Sequence, residues 1–218
     1  MRTVAAKAQN RGVALPATKL PATNTGPREG GTRSRILDVA ERLVQVRGFN
    51  GFSYADVAVE LGVTKASLHY HFPGKAELGE ALMVRYAERF AEALSAIDVD
   101  IAEAPAKLDA YAGLYADVLR ERRMCLCGML AAEYETLAAP IREAVITFLD
   151  DSEIWLERVL EQGREDASLR FSGSARETAR SIVSGLEGAM LVARPYGEVE
   201  RFQAAATQLL ASLAQRVR

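Results

Sequence analysis

Residues 53–75, SYADVAVELGVTKASLHYHFPGK, constrain this chain more than any other stretch. Val57, Ala58 and Leu61 share one face of a short helix that Gly62 ends, because glycine tolerates the left-handed conformation found after a last helical turn. Val63 and Thr64 leave room for only a tight bend before a second run begins at Thr64 or Lys65, and Pro73-Gly74 stops that run near Phe72. Two short helices around so tight a bend form a helix-turn-helix, whose second helix lies in the DNA major groove. The spacing therefore predicts double-stranded DNA as a partner.

Within the motif, residue types suit separate tasks. Ser53 caps the first of the two helices with Asp56 three residues on, near a capping box, and the helix amides with the Ser53 hydroxyl suit a phosphate. Thr64, Lys65, Ser67 and Tyr70 supply hydroxyls, a flexible cation and an aromatic edge at the start of the second, where base edges are read. Lys75, opening the next helix, suits a backbone phosphate. Both histidines, His69 and His71, lie in the reading helix. They are two apart and diverge, whereas helical metal pairs use spacings of three or four, so no metal site is expected. No glycine-rich loop of Walker or Rossmann spacing occurs, and no cofactor is expected.

The charge distribution agrees. Residues 1–80 hold 11 Lys/Arg against 7 Asp/Glu, while residues 81–218 hold 16 against 22, so a basic front precedes an acidic back. Residues 1–31 are punctuated by Pro16, Pro21, Pro27 and Gly30-Gly31, carry Arg2, Lys7, Arg11, Lys19 and Arg28 against Glu29, and read as a disordered basic tail. They fit either a solvated leader or an arm that touches DNA. No run of 18 apolar residues and no apolar leader occurs, so neither a membrane span nor secretion is expected. Cys125 and Cys127, two apart, would point about 200° apart on a helix. No disulfide is expected between them, and a reduced, cytoplasmic protein follows.

From Thr32 onward the pattern is helical throughout: an all-α fold of about nine helices. A three-helix DNA-binding unit spans residues 32–78 and a helical bundle spans 79–218. Thr32 is expected to cap the first helix, over a stripe of Ile36, Leu37, Ala40, Leu43 and Val44. A long fourth helix from Lys75 keeps Leu78, Leu82, Tyr86, Phe90, Ala93, Leu94 and Ile97 on one face. A fifth begins near Pro105, and a short sixth runs through Leu126, Leu130 and Leu137. A seventh starts at Pro140 and ends at Gly163, and an eighth is announced by Ser174 and Glu177. A ninth, after Gly197, has Phe202, Ala205, Ala206, Leu209 and Leu213 on its apolar side.

Ile36-Leu37-Asp38-Val39-Ala40, Gly48-Phe49, Val57-Ala58, Leu61-Gly62-Val63-Thr64-Lys65, Ser67-Leu68, His71-Phe72, Lys75 and Leu78 together resemble the DNA-binding domain of the tetracycline-repressor (TetR/AcrR) family of bacterial regulators. The family pattern has tyrosine directly after the leucine of the reading helix; here that place is His69 and the tyrosine follows as Tyr70. The resemblance implies a homodimeric repressor, nucleoid-associated when bound to a palindromic operator, and released by a small-molecule effector. It also implies that the last two helices pair with a second subunit. Their small residues agree, and Ile182, Gly185, Leu186, Ala189, Phe202, Ala205 and Leu209 are candidates for that interface.

The aromatic and sulfur side chains Phe90, Tyr111, Tyr115, Met129, Phe148, Trp155 and Met190, with Cys125, suit either plain core or the lining of a largely apolar or aromatic ligand site, with Glu133 as a polar anchor. Cys125-Leu126-Cys127-Gly128-Met129-Leu130, with Glu187-Gly188-Ala189 and Ala193-Arg194, is similar to the subgroup containing the electrophile-responsive repressor of N-ethylmaleimide reductase. That likeness implies a thiol sensor at Cys125, although Met124 stands where glycine is usual there. Arg122 and Arg123 suit activation of this thiol, and a buried apolar cysteine is the other reading. Two other classes stay open at this point. One is a thiol-dependent enzyme, for which neither histidine is near Cys125 in sequence. The other is a helical interaction protein that has lost DNA binding.

Overall fold

The computed structural model describes residues 31–213. Helices α1 (Thr32–Arg47), α2 (Tyr54–Leu61), α3 (Lys65–His71), α4 (Lys75–Asp100), α5 (Ala104–Arg120), α6 (Leu126–Ala132), α7 (Ala139–Glu165), α8 (Ala175–Ala193) and α9 (Val199–Ala211) make up the described chain, with 3-10 turns at Tyr134–Thr136 and Arg194–Tyr196. No sheet occurs among the described residues. The basic tail expected over residues 1–31 lies outside them except for Gly31.

Local chemistry accounts for the boundaries. Gly31, not Thr32, caps α1, because the Ser34 amide already bonds the Gly31 carbonyl at 2.9 Å and Thr32 is the first helical residue. Ser53 donates to Asp56 through its amide (2.8 Å) and its hydroxyl (2.6 Å), which orders the start of α2. Gly62 closes α2 with φ 66° and ψ 35°, the left-handed region that glycine enters without a Cβ penalty. Thr64 then caps α3 by accepting the Ser67 amide at 3.2 Å. Ser174 and Glu177 form the full box that opens α8. Helix α7 runs two residues past the expected stop at Gly163. That glycine packs beneath Leu169, whose side chain fills the space of a Cβ, so it permits a close approach and does not end the helix.

Helix α4 is the spine. Its buried face from Leu78 to Ile97 packs against α1, α5 and α7, and it runs without a break across the 78/79 division drawn from the sequence. Its polar side ties it to α1. Arg85 donates to Asp38 (2.7 Å) and Glu41 (2.9 Å), and Arg89 donates to both oxygens of Glu41 (2.6 and 2.7 Å). Glu41 is only 6% exposed, a buried carboxylate made tolerable by two guanidinium partners.

Helices α7, α8 and α9 form the far layer, with α9 also resting on α5. Ile182, Leu186 and Phe202, expected at a partner interface, are buried inside the subunit, because α8 turns that face to α7 and α9 turns Phe202 inward. Ala206, Leu210 and Leu213 complete the inner side of α9, while Ala205 is exposed and Leu209 lies at the edge, against Gly185. No helix is long and apolar enough to cross a membrane among the described residues.

Candidate DNA-binding and effector sites

Helix α3 is anchored by Leu68, which is fully buried, and its opposite side is open. Thr64, Lys65, His69 and Tyr70 are exposed, and Ser67 and His71 half-exposed. Tyr70 is 85% exposed, an aromatic ring with no apolar contact to explain it other than an edge-on approach to His71 at 5.2 Å. His69 packs its ring on Tyr54 at 4.8 Å and sets Nδ1 3.0 Å from the Pro73 carbonyl oxygen. A carbonyl can only accept, so Nδ1 carries the proton. The Tyr54 hydroxyl in turn shares its one proton between the Gly74 (2.6 Å) and Phe72 (3.0 Å) carbonyls, and it is pushed up to about 12 by burial and by Glu77. The end of α3 is thus held in place by the Tyr54 and His69 side chains.

Two expected phosphate contacts are otherwise engaged. The Ser53 hydroxyl donates to Asp56, and that contact holds the Asp56 carboxyl below its usual range. The Lys75 ammonium donates to the Phe52 carbonyl at 2.6 Å and sits over the rings of Phe49 (4.8 Å) and Phe52 (4.3 Å). Burial lowers its pKa, and the charges of Glu133 and Asp56 oppose that. Lys75 therefore fastens the corner between α1 and α2 onto α4.

In the C-terminal domain the expected aromatic residues do meet. Phe90 packs against Phe148 (4.9 Å) and Tyr111 (5.9 Å), Tyr111 stacks on Trp155 (5.6 Å) and lies 5.5 Å from Tyr115, and Tyr86 joins at 5.5 Å from Phe148. With Cys125 and Met190, Tyr86, Phe90 and Tyr115 line a cavity of about 10 Å³, the space of a single water. Tyr111, Phe148 and Trp155 pack behind this lining and do not border the cavity, and neither does Met129, which lies half-buried with its sulfur 3.3 Å from the Arg194 guanidinium. Glu133 does not enter the site either, since its carboxylate accepts from Asn50.

Cys125 is 3% exposed and is the N-cap of α6, with φ −51° and ψ 131°; the helical divergence expected from Cys127 therefore does not apply to it. Both thiols are free. The Cys125 thiol is pulled down to about 6 by its polar neighbours, the Cys127 thiol first, then the Glu187 carboxyl, the Gly128 amide and the Tyr86 hydroxyl, against the opposing effect of burial, while the Cys127 S–H itself is directed at Met83 Sδ, 3.9 Å away. The Tyr86 hydroxyl lies 3.7 Å from the sulfur. Burial pushes Cys127 the other way. The largest causes of the shift do not include Arg122 or Arg123. Glu187 is pushed up to about 10, by burial first and then by Cys125, and its Oε1 has no hydrogen-bond partner among the described residues. Its proximity to Cys125 is a tertiary fact, which the sequence signalled only through the resemblance that groups Glu187-Gly188-Ala189 with the Cys125 segment.

A helix-turn-helix carried on a larger helical domain points to a class, that of the DNA-binding transcriptional regulators. Two family models divide the chain between them: bacterial regulatory proteins of the tetR family match residues 36–82, and the tetracyclin repressor-like C-terminal domain matches residues 104–209. The crystal structure of a TetR-family regulator from Agrobacterium tumefaciens is similar at a TM-score of 0.81 and 30% identity, covering 84% of this chain and 97% of that one. The reduced form of NemR from Escherichia coli is similar at a TM-score of 0.74 and 26% identity, covering 86% and 100%. The transcriptional regulator LmrA of Bacillus subtilis is 27% identical over 173 residues, 75% of this chain and 86% of LmrA. The chain belongs to the TetR family of transcriptional regulators and is a DNA-binding regulator, not an enzyme.

Proposed function

We propose that this regulator is a homodimeric repressor that reads a two-fold operator through α3 and leaves it when its C-terminal domain changes state. The observation that carries the reading is the open face of α3, where Lys65 and the 85% exposed Tyr70 stand free above a buried Leu68 anchor. Support for a dimer comes from the outer face of α8. Leu191 and Val192 are 62% and 60% exposed, two adjacent apolar side chains beside the small, exposed Ser184 and Gly188, a face that a second helix could approach closely. Two α3 helices about 34–36 Å apart would then meet successive major grooves.

The effector reading divides in two. The aromatic cluster suits a largely apolar or aromatic ligand, which must open a cavity of about 10 Å³ to enter. A thiol-reactive electrophile is favoured by a specific observation: Cys125 borders that cavity with its thiol held near 6, so attack on a small electrophile needs less opening. The deciding experiment is a salt-titrated gel shift on the DNA upstream of the chain's own gene, repeated after alkylation. Binding of a discrete fragment that weakens steeply with salt is expected, with release on alkylation of the wild type and none for Cys125→Ser. Absence of salt-sensitive binding to any promoter fragment would refute the repressor reading, and release of the Cys125→Ser variant would refute the thiol.

A further inference from the structure

The last turn of α1 and the turn into α2 are gripped by polar groups of the C-terminal domain. The final carbonyls of a helix lack intrahelical partners. Here the Gln45 carbonyl accepts from the Met124 amide at 3.1 Å, and the Val46 carbonyl accepts from the Arg194 guanidinium. The next residues meet Glu133, at the end of α6. Its Oε2 accepts from the Asn50 amide (2.9 Å) and side chain (3.2 Å), and its Oε1 fills the space a Cβ on Gly48 would occupy. Thr136 closes the ring, its hydroxyl accepting from Asn50 Nδ2 at 2.7 Å and donating to the Glu133 carbonyl at 2.7 Å. Gly48, at φ 86°, is the residue type this approach requires.

Such contacts are directional. Hydrogen bonds to a carboxylate weaken steeply when displaced, so this junction registers movements that apolar packing would absorb. Glu133 and Cys125 flank the same helix: α6 spans seven residues, about 10 Å of rigid rod, with Cys125 as its N-cap and Glu133 as its C-cap. Asn50 lies three residues before Ser53, the N-cap of α2.

We infer that Glu133 is a positioning residue for operator binding: it clamps the α1–α2 turn through Asn50 and thereby transmits the state of α6 to the helix-turn-helix. This rests on the reading that the C-terminal domain controls DNA binding. The clamp pre-organises the motif, and a displaced α6 releases it.

The test measures operator affinity by fluorescence anisotropy on the promoter fragment that binds in the gel shift, with Glu133→Ala, Glu133→Gln and Asn50→Ala. Glu133→Ala should weaken binding about tenfold, within the usual range of a coupling free energy, while the variant stays folded with a melting temperature lowered by only a few degrees. Loss of a negative charge near DNA would by itself tighten binding, so weakening cannot be a charge effect. Glu133→Gln keeps an acceptor for the Asn50 amide and should restore affinity to within about twofold, and Asn50→Ala should add little to Glu133→Ala, as expected of coupled partners. Iodoacetamide should release the wild type, but change Glu133→Ala binding far less. Unchanged affinity in Glu133→Ala, or equal loss in the Ala and Gln variants, overturns the clamp. If iodoacetamide leaves the wild type bound, the thiol reading fails while the clamp stands or falls on the affinities. Should no fragment bind, the repressor reading fails. Amide exchange across residues 48–53 then judges the clamp: it must quicken in Glu133→Ala, and no change overturns it.

Discussion

The most exacting consequence of the C-terminal domain concerns the rate at which Cys125 meets iodoacetamide as pH is raised from about 5 to about 9. With the thiol held near 6, half of it is thiolate at about that pH. At pH 7 roughly 90% would be ionised against about 3% for an ordinary thiol, a thirtyfold advantage in nucleophile. Lower basicity removes much of this: with a Brønsted slope near 0.45 over about 2.5 units, each thiolate reacts roughly tenfold more slowly. The net gain at pH 7 is therefore only about threefold, and burial of the sulfur reduces the absolute rate further. The absolute rate thus cannot carry the test, whereas the midpoint of the profile can, because restricted access scales every point alike. Peptide mass spectrometry separates Cys125 from Cys127, whose thiol burial raises and which should stay unmodified across this range. A midpoint near 6 is expected. Cys127→Ala removes the largest stabilising contact and should move it upward; Glu187→Gln, which keeps a donor, should move it less. A wild-type midpoint at about 8.5, or modification that follows global unfolding, would refute the hydrogen-bonded thiolate.

Three further outcomes test the scaffold. Lys75→Ala should lower the melting temperature by the equivalent of about 1–2 kcal/mol, because it strips the Phe52 carbonyl of its donor and two rings of their cation, and should barely alter the salt dependence of DNA binding. An unchanged melting temperature with a shallower salt slope would return Lys75 to a phosphate. Glu41→Ala should cost about 3–5 kcal/mol in denaturant unfolding, since Arg85 and Arg89 lose their shared carboxylate; a loss below about 1 kcal/mol would mean that water reaches the pair. Gly79→Ala should cost about 1–3 kcal/mol by thermal melting, because a methyl there comes within 2.5 Å of Ile141 Cδ1 and 2.9 Å of the Phe49 ring; full stability would show that the junction of α4 with α7 repacks freely.

Much of the architecture was legible because it rests on local chemistry. Capping residues at Ser53, Thr64 and Ser174, the glycine at position 62, and apolar spacing at 3.6 residues act within a turn or two of where they stand. Gly163 misled for the complementary reason. Glycine at a helix end and glycine beneath a packed side chain look alike in sequence, and Leu169, which distinguishes them, is placed by the tertiary fold. Lys75 and Glu133 show the same limit: a charged residue near a motif suggests a ligand contact, and only the folded chain reveals that Lys75 bonds the Phe52 carbonyl and Glu133 accepts from Asn50.

The sequence by itself determined that this protein is helical, that residues 53–75 form a reading unit for DNA, and which residues face outward on it. Helix periodicity and caps are properties of neighbours along the chain. The tertiary structure alone decided the rest. It buried Glu41 between two arginines, turned Ile182, Leu186 and Phe202 into the subunit core, and closed the aromatic cluster to about 10 Å³. It also brought Glu187 to Cys125 and Glu133 to Asn50, pairs separated by 62 and by 83 residues. A thiol's acidity and a hydrogen bond's partner depend on what lies within a few ångströms, and for these groups that neighbourhood is assembled from distant parts of the chain.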